Sequence, residues 1–170
     1  SALGMNYLGG LQGRMCEMSL ASATTPNAYR RRQPYTFCPI NTTWSVDNRT
    51  VGLRVIEGKD AAVRIEKRDG SADCNPYYLL ACEIAAGLDG IEQGLAPTAA
   101  TPGNAYESED AKAIPTDLAT ALELAKGSKF MAGVIGEDAL GILIGQGERE
   151  LEFFANQVTP VESERYLTNL

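Results

Sequence analysis

No histidine occurs anywhere in the 170 residues, which excludes Ser-His-Asp triads, imidazole acid–base pairs and the usual His-bearing zinc sites. The four cysteines, Cys16, Cys38, Cys74 and Cys82, show no CxxC spacing. A four-thiolate metal site is therefore not expected, and reduced, half-buried thiols of a cytoplasmic protein are. No apolar run approaches the roughly 18 residues of a membrane-spanning helix. The opening SALGMNYLGG has no basic leader ahead of an apolar stretch, so no secretory signal is expected. Walker A, GxGxxG and GxSxG motifs are all missing. The sequons at Asn41 and Asn48 are triplets common by chance. Any chemistry must come from carboxylates, arginines and backbone groups.

The formal charge of −7 argues against a nucleic-acid footprint. Yet Arg30, Arg31, Arg32, Arg49, Arg54, Arg64, Lys67 and Arg68 all fall between residues 27 and 68, while Asp and Glu concentrate later. An acidic protein with one basic segment suits a small anion better than a polyanion.

Hydrophobic spacing predicts a helix over residues 3–20, with Leu3, Tyr7, Leu11, Met15 and Met18 on one face. Gly9, Gly10 and Gly13 weaken that helix in isolation, so it needs tertiary support. A loop, ASATTPN, follows and is expected to end where Pro26 stops helical continuation. PINTTWSV, TVGLRVIE and AAVRIEKR are rich in Val, Ile, Thr and Trp and are separated by turn residues, which predicts three antiparallel strands. Alternation puts Arg54 on a face it can share with Arg64, Glu66 and Arg68, opposite Val63 and Ile65. Asn75 caps and Pro76 opens a strong helix whose stripe Tyr77, Leu80, Ile84, Leu88, Ile91 and Leu95 is expected to pack in the core. After a Pro/Gly/acid-rich loop at 97–113, helices are expected over about 116–126 and 137–157. The fold class is α+β, a small antiparallel sheet flanked by helices.

Four motifs occur in order: NAYRR (27–31), NRTVGLR (48–54), RIEKR (64–68) and NPY (75–77). That succession resembles the glutamine synthetase family, whose counterparts read NSYKR, NRSAAIR, RIEVR and ANPYL. GLDGIEQGLAP and the terminal VTPVESERYL extend the resemblance over nearly the whole chain. It implies that residues 1–170 are the C-terminal portion of a glutamine synthetase-like catalytic domain. The implied activity is ATP-dependent: a glutamate carboxylate is activated as γ-glutamyl phosphate and then attacked by ammonia or a larger amine. By resemblance, Arg31 holds the substrate carboxylate and Arg68 acts on the carboxylate that becomes phosphorylated. Arg49, Arg54 and Arg64 lie on the nucleotide side, and Glu66 ligates one Mg²⁺ or Mn²⁺ ion. Arginine suits these tasks because its planar fork meets a carboxylate or phosphate with two hydrogen bonds. Read without the resemblance, Arg30–Arg32 would be a solvated run and Arg64, Glu66 and Arg68 a surface ladder. Arg30 and Arg32 are expected to face solvent in either case.

The sequence departs from the family after Arg31. RQPYTFCP stands where a flap such as LVPGYEAP is found, so the flap glutamate falls at Phe37, which cannot accept a proton. This favours a relative that joins glutamate to a larger amine. Tyr106 sits where some members carry an adenylylated tyrosine, but its context fits an ordinary loop tyrosine. The family's N-terminal domain and remaining metal ligands precede this region, so the chain read alone is part of an enzyme. The full-length protein is expected to be a cytoplasmic homo-oligomer with no nucleic-acid or membrane partner. A non-catalytic member with a structural or ligand-sensing role is the competing reading.

Overall fold

The computed structural model describes residues 1–167, the side chain of Asp60 excepted; the last three residues of the 1–170 span lie outside it. The chain opens with helices α1 (Ala2–Arg14), α2 (Ser19–Ser22) and α3 (Pro26–Arg30). Strands β1 (Trp44–Val46), β2 (Leu53–Ile56) and β3 (Arg64–Lys67) follow. The C-terminal part is helical: α4 (Pro76–Glu92), α5 (Leu118–Lys126), α6 (Lys129–Ile135), α7 (Glu137–Ala155) and α8 (Pro160–Leu167). Helix α1 lies along α4, α5 and α6 pack on α7, and the core gathers where these helices meet the inner side of the sheet. The α+β expectation holds.

The first expected helix is interrupted. Arg14 turns to Glu17 (2.8 Å) and to Asp89 (2.9 Å). The hydroxyl of Ser19 donates to the Met15 carbonyl, the kind of local bond that competes with regular helix. Leu11, Met15 and Met18 are buried as expected, whereas Leu3 is exposed and Leu8 takes its place in the core. Pro26 does not end a segment but opens α3, at the first helical position behind the Thr25 cap. Helix α8, which the hydrophobic spacing did not single out, opens with a capping box in TPVE. Thr159 Oγ1 accepts from the Glu162 amide and Glu162 Oε2 accepts from the Thr159 amide.

The sheet has the order β1-β2-β3 and is mixed, not wholly antiparallel as expected. β2 and β3 are antiparallel, with Arg54 opposite Glu66, but β1 and β2 run parallel, with Trp44 opposite Leu53. Parallel neighbours ordinarily need a long crossover. Here β1 is so short that a return of about 7 Å suffices, and the six residues 47–52 can reach roughly 20 Å. Asp47, at φ 45°, starts that reversal.

The large apolar stripe of α4 does not face the core. Tyr77, Leu80, Ile84 and Leu88 are exposed, Tyr77 to 82%, while Cys82, Ala86, Gly87 and Gly90 are buried. The cause is the closeness of α1. A Cβ on Gly10 would lie 2.0 Å from the Ala86 carbonyl oxygen and 2.8 Å from Gly90 Cα. Two helices whose backbones touch can place only small residues between them, so the large ones are turned outward. The glycines that weaken α1 alone are those that let it pack. Gly10→Ala should therefore destabilise the chain by about 1–3 kcal/mol or more, against helix propensity. Gly13→Ala, which meets nothing within 4 Å, should stabilise by up to about 1 kcal/mol. Urea unfolding of the two variants checks the opposite signs.

Candidate functional site

Strand alternation divides the charged residues of β2 and β3 between two faces. On the outer face Glu66 stands between two arginines: Arg54 Nη1 donates to its Oε2 at 3.2 Å and Arg64 Nε to its Oε1 at 2.9 Å. The Arg64 hydrogen bond and the Arg54 charge hold the Glu66 carboxyl below its ordinary pKa, so it is ionised. Arg54 Nη2 is also paired with the exposed Asp47 carboxylate, and its Nε is buried without a hydrogen-bond partner. Arg54, Arg64 and Glu66 thus share a face, as the alternation required.

Arg68 continues this face past the end of β3. Its guanidinium donates to the carbonyls of Arg49, Val51 (3.2 Å) and Phe37 (3.0 Å). It therefore ties the loop at 47–52 to the loop that carries Phe37. Arg49 itself is exposed, and the structure brings its backbone, not its side chain, to Arg68. The Phe37 loop is strained: Tyr35 (φ 64°) and Phe37 (φ 58°) are non-glycine residues in the left-handed region. The Phe37 ring is 64% exposed. Tyr35 stacks on Tyr106 with ring centroids 5.4 Å apart, and the Tyr106 hydroxyl donates to the Cys38 carbonyl at 3.0 Å. Asn48 and Thr50 anchor the adjacent 103–105 turn through Gly103 O and the Ala105 amide. Asn41 is buried, and its amide donates to Ala105 O, so that sequon serves the fold.

Arg31, the C-cap of α3, is exposed at an open cavity of about 490 Å³ that Asn27, Arg30, Ser71 and Asp73 also line. Its Nη2 donates to the carbonyls of Asp69 (2.9 Å) and Gly70 (2.7 Å).

Arg32 contradicts the solvent-facing expectation. It is 1% exposed, lies over the Tyr29 ring at 4.7 Å and donates to Pro115 O at 2.6 Å. Its Nη2 is 3.8 Å from Asp69 Oδ2, and Lys67 Nζ is 2.6 Å from Asp69 Oδ1, with the Asp69 carboxylate wholly inaccessible. Lys67 also donates to Ser22 Oγ (2.7 Å) and lies 3.5 Å from Glu83. Burial alone would raise the Asp69 pKa, but the charges of Lys67 and Arg32 keep it below its ordinary value. Burial pushes Glu83 the other way, against the opposing charge of Lys67. One signal for this cluster was in the sequence: the alternation that puts Arg64, Glu66 and Arg68 outside puts Lys67 and Asp69 on the inner side with Ile65. Arg30 stays exposed, 5.7 Å above the Phe154 ring.

The four cysteines are free thiols. No helix among the described residues is long and apolar enough to cross a membrane, and no three metal-ligating side chains cluster among them.

The family model for the glutamine synthetase catalytic domain matches residues 1–166. Over 160 residues, 94% of the chain, the sequence is 38% identical to a γ-glutamylethanolamide synthetase of Streptomyces coelicolor. It is 39% identical over 75% of the chain to a glutamate–isopropylamine ligase of a Pseudomonas species, and 31% identical over 98% to a glutamine synthetase of Methanosarcina mazei. The solved ADP complex of GmaS superposes on 99% of the chain with a TM-score of 0.88 at 27% identity. The chain spans 34%, 27% and 39% of the three relatives' lengths and 40% of that GmaS chain.

Arg68→Lys removes the fork that reaches three carbonyls at once. Amide exchange across residues 33–38 should rise by about tenfold or more, a loss of 1.4 kcal/mol or greater, while α4 keeps its protection. Hydrogen–deuterium exchange read segment by segment checks this.

Proposed function

The chain belongs to the glutamine synthetase family, and we propose that it is the C-terminal part of the catalytic domain of an ATP-dependent ligase joining glutamate to an amine larger than ammonia. The observation that carries the reading is the outer sheet face. Arg54, Arg64 and Glu66 converge there beside Arg68, and Arg68 in turn holds the loop presenting Phe37.

The nucleotide fits this face. Arg54 Nε is buried without an acceptor, and its Nη2 is met by an exposed aspartate. A ligand group with several anionic oxygens can compete with that aspartate for Nη2. Arg54, Arg64 and exposed Arg49 would hold the phosphates, lowering the cost of charge on the transferring group. ATP, when bound, supplies the phosphoryl group that turns a carboxylate into an acylating agent. Arg31, at its cavity, offers Nε and Nη1 to a substrate carboxylate, since its two hydrogen bonds to protein both leave from Nη2. Arg68, next along the face from Glu66 and bonded to the loops of Arg49 and Phe37, would supply positive charge to the group being activated.

The metal is different. Glu66 offers one oxygen donor where Mg²⁺ takes about six, and both its oxygens are engaged by arginines. We assign it as one ligand of a site completed by residues outside this chain. The relatives are longer than the chain, and the exposed apolar row of α4 is a surface suited to cover by further polypeptide.

Phe37 supports the amine assignment. An aromatic ring cannot take a proton from ammonium, but an exposed ring beside the Tyr35–Tyr106 pair offers apolar contact to an organic amine. Relatives named for an ethanolamide product and for isopropylamine as the amine joined favour the same reading. The full-length protein, given ATP, glutamate and a panel of ethanolamine, isopropylamine, aniline and ammonium, should release ADP. With at least one organic amine, kcat/KM should exceed that for ammonium by about tenfold, or 1.4 kcal/mol. Ammonium outperforming every organic amine would sink the assignment.

A further inference from the structure

Neighbouring Arg31 and Arg32 leave the end of α3 in opposite directions, one to the cavity and one into the core, and both return to the same residue. The Asp69 carbonyl accepts from Arg31 Nη2 at 2.9 Å and from Arg32 Nη2 at 3.4 Å. The Asp69 carboxylate, 0% exposed, is compensated by Lys67 at 2.6 Å and Arg32 at 3.8 Å. Its position is therefore set by charge, and charge in the interior is stringent. Removing one partner leaves the others buried and uncompensated.

We propose that Asp69 is a positioning residue for Arg31: its buried carboxylate, clamped between Lys67 and Arg32, fixes the backbone turn whose two carbonyls aim the Arg31 guanidinium into the cavity. Beyond the charge of Asp73 across the cavity, these carbonyls are what hold the Arg31 guanidinium. Its side chain is exposed, and its two protein bonds go to Asp69 O and Gly70 O. These carbonyls leave the end of β3 beside residues that cannot shift independently. Lys67 is held by Ser22 and lies near Glu83, and Arg32 is held by Pro115 O and the Tyr29 ring. The Tyr29 hydroxyl is itself bonded to Ala23 O at 2.7 Å. The cluster thus carries the rigidity of α2, α3, α4 and the segment before α5 to one exposed cation. A guanidinium displaced by about 1 Å can cost on the order of a hundredfold in productive binding.

The inference rests on the reading that Arg31 meets the acid substrate, so the test includes Arg31→Gln. In the full-length protein, Asp69→Asn keeps the side chain's size and removes its charge. It should raise KM for glutamate by about 10- to 100-fold while KM for ATP stays within about twofold. Lys67→Met, which removes the nearer counter-charge, should give the same split and serves if the Asp69 variant does not fold. KM for glutamate and ATP rising together, or neither rising, would overturn the proposal. If Arg31→Gln raises KM for glutamate and the Asp69 and Lys67 variants do not, the positioning role alone is wrong. If Arg31→Gln leaves it unchanged, the reading of Arg31 fails and the positioning role falls with it.

Discussion

A buried carboxylate between two buried cations organises this domain. Asp69 has no exposure, Arg32 is 1% exposed and the Lys67 side chain 4%. Such groups are tolerated inside a protein only as a compensated set, because desolvating each charge costs several kcal/mol. The set draws on the end of α3, the end of β3, Ser22 of α2 and the carbonyl before α5, with Glu83 of α4 nearby. These elements also carry the exposed arginines. Alternate positions along β3 and its continuation build both layers: Glu66 and Arg68 outward to the site, Lys67 and Asp69 inward to the clamp.

That division explains how much could be read in advance. A period of two along RIEKR gave the outer face, and the pairing of Arg54 with Glu66 confirmed it. The caps were legible as well: Asn75 with Pro76 opens α4, and Gly127 ends α5. What misled was treating side-chain character as a guide to burial. Arg32 belongs to a run of three arginines and is in the core; Tyr77, Leu80 and Ile84 form an apolar stripe and are exposed. In both cases the deciding fact is a distant neighbour. Asp69 supplies the charge that admits Arg32, and the backbone of Gly10 leaves space only for Ala86 and Gly90. The parallel pairing of β1 and β2 was equally hidden, since it depends on a strand too short for the usual crossover rule.

The candidate site follows from the same architecture. A sheet three strands wide offers one outer face, and this one is lined with guanidinia open to an anion: Arg54 Nη2 meets an aspartate that stands exposed, and Arg64 is itself exposed. Beside it, Arg68 spans two loops, one of them strained at Tyr35 and Phe37. A rigid arginine array facing a strained aromatic loop suits anion activation on one side and organic amine selection on the other.

Asp69 and Arg32 act as one charge-compensated unit. A double-mutant cycle in urea, with Arg32→Met, Asp69→Ala and the pair together, tests it most directly. Each single change should cost about 3–5 kcal/mol, and the double change less than their sum by at least about 2 kcal/mol. Additivity within about 0.5 kcal/mol would mean that the two residues are buried near each other without depending on each other, and the account would fail.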